Sequence, residues 1–89
     1  MPRVIFTSNL QRHVSCPERQ VSATTVRGAL EEVFADAPRL RDYVLDEQGH
    51  VRKHVIIYVN GRGIVDRERQ ADAIPPAGEV YVFQALSGG

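Results

Sequence analysis

One amphipathic helix has to find a partner in this chain, and only short β-branched runs are there to receive it. Val26, Ala29, Leu30, Val33 and Phe34 fall at i, i+3, i+4, i+7 and i+8, a single apolar stripe of helical period. A helix of that length is marginal alone in water, so its stripe must be buried against another element. Thr24 or Thr25 supplies an N-cap oxygen, although no Glu or Gln follows three positions later to complete a capping box. Gly28 costs about 1 kcal/mol relative to alanine inside a helix, which implies close approach to another element. Pro38 disfavours helical geometry at Ala37 and stops the run. The pattern predicts one main helix over about 24–36.

The remaining apolar runs read as strands. Val4-Ile5-Phe6-Thr7 opens the chain, and Arg19-Gln20-Val21-Ser22-Ala23 alternates weakly enough to return as its hairpin partner. Residues 39–53 are polar and basic, with Tyr43, Val44 and Leu45 as one apolar island and Gln48-Gly49 as a turn. His54-Val55-Ile56-Ile57-Tyr58-Val59 is the strongest strand, apolar on both faces and hence expected at the centre of the sheet. Asn60-Gly61 is a hairpin signal because both residues accept positive φ. Gly63-Ile64-Val65 starts the return, and Pro75-Pro76-Ala77-Gly78 turns the chain into a last strand, Glu79-Val80-Tyr81-Val82-Phe83. One helix on one face of a mixed four- to five-stranded sheet is an α+β layer architecture. The first and last strands are expected as parallel neighbours in its middle, the β-grasp arrangement.

Chain length and charge narrow the function classes. Eighty-nine residues make one domain, read as 1–83 with 84–89 as a free tail. Eleven basic residues balance eleven acidic ones, which disfavours a dedicated nucleic-acid binder. The lone Cys16 forms no internal disulfide and completes no multi-thiolate zinc site. No run approaches the roughly 20 apolar residues that cross a bilayer, and the three-residue apolar run near Met1 is too short for a signal peptide. A reduced, cytoplasmic protein with no membrane partner is the expectation.

The Leu86-Ser87-Gly88-Gly89 segment carries the chemistry. Glycine has no Cβ, so a glycine-ended tail threads a narrow channel and brings its carboxylate close to a nucleotide. A free carboxylate is a poor acyl donor until it becomes a mixed anhydride with a good leaving group. Such an end is suited to activation by another enzyme.

The element order, the strand end Tyr58-Val59-Asn60-Gly61, the run Gly78-Glu79-Val80 into the last strand and Gly88-Gly89 together resemble the ThiS/MoaD family of sulfur carriers over essentially the whole chain. Among them, the carriers of cysteine biosynthesis and of the molybdopterin type are most similar. The resemblance implies a ubiquitin-like β-grasp and a chemistry on Gly89. A ubiquitin-activating-like adenylating enzyme, using ATP and magnesium, would activate the Gly89 carboxylate. A sulfur donor would convert it to a thiocarboxylate, and a downstream synthase would consume the sulfur. The chain itself would catalyse nothing, bind no cofactor or metal, and be a monomer when free. Ser87 and Gly88 would thread the active site.

Alternation puts Val80 and Val82 inward and Tyr81 and Phe83 outward. Tyr81 and Phe83 are therefore expected docking residues, matching an apolar docking patch in the family, and Leu86 joins them because a lone apolar residue in a free tail gains little unless bound. His13, His50 and His54 lack metal-type spacing, and Cys16 has no histidine beside it in sequence. Arg39, Arg41, Arg52 and Lys53 are interleaved with Asp42, Asp46 and Glu47, so they read as a solvated mixed face. Two other functions remain open. One is a ubiquitin-like modifier joined through Gly89 to lysines of other proteins, for which Lys53 is this chain's only lysine. The other is a plain interaction domain.

Overall fold

The computed structural model describes residues 1–6 and 18–84. Along the chain run β1 (Arg3–Phe6), β2 (Glu18–Gln20), α1 (Val26–Asp36), α2 (Pro38–Val44), β3 (Val55–Val59), β4 (Arg62–Gly63) and β5 (Glu79–Gln84). The strands form one five-stranded sheet in the order β2-β1-β5-β3-β4. β1 and β5 run parallel, with Val4 opposite Val80 and Phe6 opposite Val82. The other pairings are antiparallel. A parallel pair needs a long crossover, and the helices lie within the chain that makes it. This is the mixed-sheet, helix-on-one-face arrangement expected from the sequence.

The helical stripe forms the core as its period requires. Val26, Ala29, Leu30 and Val33 are buried with Val4, Phe6, Val55, Ile57, Val80 and Val82, while Phe34 packs at the margin. Each fully buried side chain of this size contributes about 1.5–3 kcal/mol relative to exposure. Thr25 is the N-cap, its Oγ1 accepting from the Gly28 N–H at 3.2 Å. A Cβ added at Gly28 would stand 2.9 Å from the Ala23 Cβ, so the glycine allows the approach anticipated for it. Across the helix, Arg19 of β2 donates to the Glu32 carbonyl at 2.6 Å and pairs with Asp36.

Two expectations are corrected. Pro38 ends α1 but also opens α2 at its first turn, where a missing N–H leaves no bond unmade. The polar stretch after Pro38 therefore contains a second helix, whose Leu40 and Val44 are fully buried. β3 is not central: β5 is, and β3 lies one strand from the edge. Its Val55 and Ile57 are buried, but Ile56 is half-buried and Tyr58 exposed, so its apolar run covers one buried face and one surface.

Local turn chemistry follows the sequence closely. Asn60 and Gly61 have φ of 50° and 83°, the paired positive angles of a tight hairpin between β3 and β4. The Asn60 Oδ1 accepts from the Glu79 N–H at 2.9 Å, which ties this hairpin to the start of β5. Gly49 has φ of +81° and donates to the Asp46 carbonyl, forming the turn expected at Gln48-Gly49. Gln84, read with the tail, is the last residue of β5 and pairs with Val55.

One buried polar residue has no sequence signal. Gln70 is fully enclosed, at φ 54°, and its Nε2 donates to the carbonyls of Gly49 and Arg67. Its own carbonyl accepts from the Arg27 N–H at the start of α1, so one residue joins two loops to a helix end.

Candidate functional site

The sheet face opposite the helices, along β5 and its neighbours, is the candidate site. Val80 and Val82 are fully buried against the helix side. Because successive side chains of a strand point to opposite faces, Tyr81 and Phe83 stand on the open face. Tyr81 is 37% exposed and Phe83 half-buried, as the alternation predicts.

The register assembles more around them than the last strand alone suggested. Tyr81 is flanked by Ile5 on β1 and Tyr58 on β3, and Phe83 lies opposite Ile56. The Tyr58 and Phe83 rings meet edge to face, their centroids 5.3 Å apart at 81°. Such pairs contribute about 0.5–1.5 kcal/mol beyond burial, so the diagonal contact holds Phe83 in place on an open surface. Ile5, Ile56 and Tyr58 were not among the candidate residues read from the sequence. The alternation within Val55–Val59 contained the signal, but reading that run as buried on both faces hid it.

At the start of β5 the face becomes charged. Arg3 pairs with Glu79 on one side and with Glu18, at 3.1 Å, on the other. The hydrogen bond with Glu79 first, and then the charge of Glu18, raise the guanidinium pKa above its already high value. The face thus has a closed ion-pair cluster at one end and aromatics toward the end from which residues 85–89 follow. Leu86, Ser87, Gly88 and Gly89 lie outside the described residues.

The remaining polar candidates are structural where the contacts speak. The Arg52 Nε donates to the Asp42 carbonyl at 2.7 Å, linking the stretch before β3 to α2. The Arg67 guanidinium donates to the carbonyls of Arg52 and Val55. Asp46 accepts from the His50 and Gln48 amides, and these bonds, the His50 one foremost, hold its pKa below the usual carboxylate value. Asp66 is held low by the amide of Arg69 first, then those of Ala71 and Glu68. Both carboxylates cap turns. Lys53 is exposed just before β3. Among the described residues no three His, Cys, Asp or Glu side chains gather as a metal site, and no helix is long and apolar enough to cross a membrane.

Comparison with known proteins places the fold. No family model and no curated protein matches the chain. Among solved structures, SAMP1 of Haloferax volcanii is similar at 21% identity and TM-score 0.83, over 99% of this chain and 98% of that one. CysO of Mycobacterium tuberculosis matches at 20% identity and TM-score 0.81, over 97% and 100%. A chain of the Amycolatopsis orientalis BexX/CysO complex matches at 14% identity and TM-score 0.84, over the full length of both. The chain therefore has the ubiquitin-like β-grasp fold of these small proteins. The fold that the sequence resemblance implied is thus the fold found.

Proposed function

We propose that this chain is a sulfur carrier that works in the cytoplasm and catalyses nothing itself. The observation that carries the reading is the geometry of β5. The central strand presents Tyr81 and Phe83 on an open aromatic face, and its last residue, Gln84, is followed in sequence by the five residues that end in Gly88-Gly89. An enzyme that grips this face holds the strand end from which the tail begins.

In this reading the Gly89 carboxylate attacks the α-phosphorus of ATP in the partner's magnesium-bearing site, releasing pyrophosphate and forming an acyl adenylate. A sulfide equivalent from a sulfur donor then displaces AMP and leaves a thiocarboxylate. Its sulfur is a soft nucleophile for a downstream synthase. Gly88 and Ser87 pass through the channel because neither carries a bulky side chain. Tyr81, Phe83 and Leu86 anchor the partner, joined by Ile5, Ile56 and Tyr58 on the same face. The similar chain from a BexX/CysO complex supports a life in partnership.

A second reading has its own support. SAMP1 is by name a small archaeal modifier protein, so the same activated end could be joined to a lysine amine. Fragmentation mass spectrometry of the C-terminal peptide, from protein isolated from its own cells, separates the two. Sulfur on Gly89 is the expected result for the carrier. An isopeptide between Gly89 and lysines of other proteins, with no sulfur on Gly89, would replace it by the modifier. Fragmentation is needed because oxidation at Met1 or Cys16 changes the intact mass almost as an oxygen-to-sulfur exchange does.

A further inference from the structure

A cleft of about 580 Å³ lies between β4 and residues 72–75, apart from the open sheet face. Val59, Arg62 and Ile64 line one side, Asp72, Ala73 and Pro75 the other. It runs along a free edge, because β4 is the last strand of the sheet. The Ile64 N–H donates inward to the Ile57 carbonyl at 3.0 Å. In an antiparallel ladder the neighbouring residues, Gly63 and Val65, then turn their main-chain groups outward. The outward Val65 N–H is already met by a carboxylate, Asp72 Oδ2 at 2.9 Å, and Asp72 Oδ1 accepts from the Asp66 N–H at 2.8 Å. The adjoining position, at Gly63, has no outward partner among the described residues.

Two further features stand at this edge. The Arg62 side chain makes no hydrogen bond or ion pair among the described residues. Val65 is 90% exposed, an apolar side chain in water. Unpaired edge amides supply affinity for an added strand, and adjacent side-chain sites supply selectivity. A guanidinium selects a carboxylate, whose two oxygens match its fork.

We propose that this cleft takes an extended acidic segment of a partner protein, laid along β4 at Gly63 with a carboxylate on Arg62. The cleft adjoins Asn60, at the end of β3 nearest Glu79, whereas Val55, at the other end, pairs with Gln84. Five strand steps of about 3.3 Å separate these ends by roughly 17 Å. A partner held in the cleft leaves the tail end of the sheet free for a second protein. That consequence rests on the carrier reading, but the binding itself does not.

The test titrates the ¹⁵N-labelled full chain with the peptide acetyl-Val-Asp-Val-Glu-Val-amide, and with the same peptide carrying Lys at both acidic positions. The acidic peptide is expected to shift the amides of Gly63, Val65 and Ala73, and the lysine version to leave them unmoved. Arg62→Glu should weaken binding at least about tenfold with an unchanged melting temperature. Gly63→Pro should abolish binding, since it deletes the outward N–H and no ladder bond. Deleting Gly88 and Gly89 should leave binding intact. No shift at Gly63 or Val65 up to about 2 mM peptide overturns the proposal. So do equal shifts from the lysine peptide, or shifts confined to Tyr58, Tyr81 and Phe83. Peptide-free shifts at Gly63 that grow with protein concentration would make the occupant a second copy instead. Sulfur on Gly89 is read separately by mass spectrometry, so this proposal and the carrier reading fail independently.

Discussion

Replacing Gly28 by alanine sets two rules of physical chemistry against each other. Helix propensity alone says that the change stabilises by about 1 kcal/mol. The structure says otherwise. The new methyl would stand 2.9 Å from the Ala23 Cβ and 3.3 Å from the Thr25 Oγ1. The first contact is closer than carbon atoms tolerate, and the Ala23 Cβ has no torsion with which to retreat. Overpacking of this kind costs about 1–3 kcal/mol. The second crowds the oxygen that caps α1 through the Gly28 N–H, an interaction worth about 1 kcal/mol. Subtracting the propensity gain leaves a net loss of about 1–3 kcal/mol, which lowers the melting temperature of a domain this size by roughly 4–24 °C. Urea unfolding followed by circular dichroism measures it directly. The double variant Ala23→Gly, Gly28→Ala should recover at least half the loss, because it removes the 2.9 Å contact. A Gly28→Ala chain more stable than its parent would refute the close-approach argument. Failure of the double variant to recover would move the cause to the cap.

Three other outcomes follow from named contacts. Asp46 and Asp66 have folded pKa values lowered by backbone amides, so the stability they contribute is present above the ordinary carboxylate range and lost as pH falls through their lowered values. The melting temperature should be flat from about pH 7 to about pH 5 and fall in more acid solution, with a shallower fall in Asp66→Asn; a rise on acidification would contradict the assignment. Asn60→Ala should cost about 1–2 kcal/mol in urea unfolding, since it loses the bond to the Glu79 N–H and puts alanine at φ 50°, and Asn60→Gly should cost less. On the carrier reading, Tyr81→Ser and Phe83→Ala should each raise an activating enzyme's KM for this chain by about tenfold, about 1.4 kcal/mol of binding, with kcat nearly unchanged. An unaltered KM in both would take the docking surface off this face.

Much of this protein was legible residue by residue, for a common physical reason. The stripe from Val26 to Phe34, the cap at Thr25, the hairpin at Asn60-Gly61 and the inward Val80 and Val82 depend on period, side-chain type and φ, which neighbours along the chain determine. The same local rules placed Tyr81 and Phe83 outward. The second helix escaped them because Pro38 ends one helix and starts another, and only the burial of Leu40 and Val44 distinguishes the two uses. The position of β3 was misread because an apolar run looks alike whether its second face is buried or lies at the surface. Ile5, Ile56 and Tyr58 become site residues only when the register sets them beside Tyr81 and Phe83. Gln70 joins segments far apart in sequence, and the cleft at Arg62 sets residues 59–65 beside 72–75, through contacts that no local pattern encodes. Sequence by itself determined the main helix, the strand runs and the tight turns, because period, side-chain type and φ are set by neighbours along the chain. Tertiary structure alone decided which apolar sides meet one another and which are left facing water, because burial depends on what packs across the sheet.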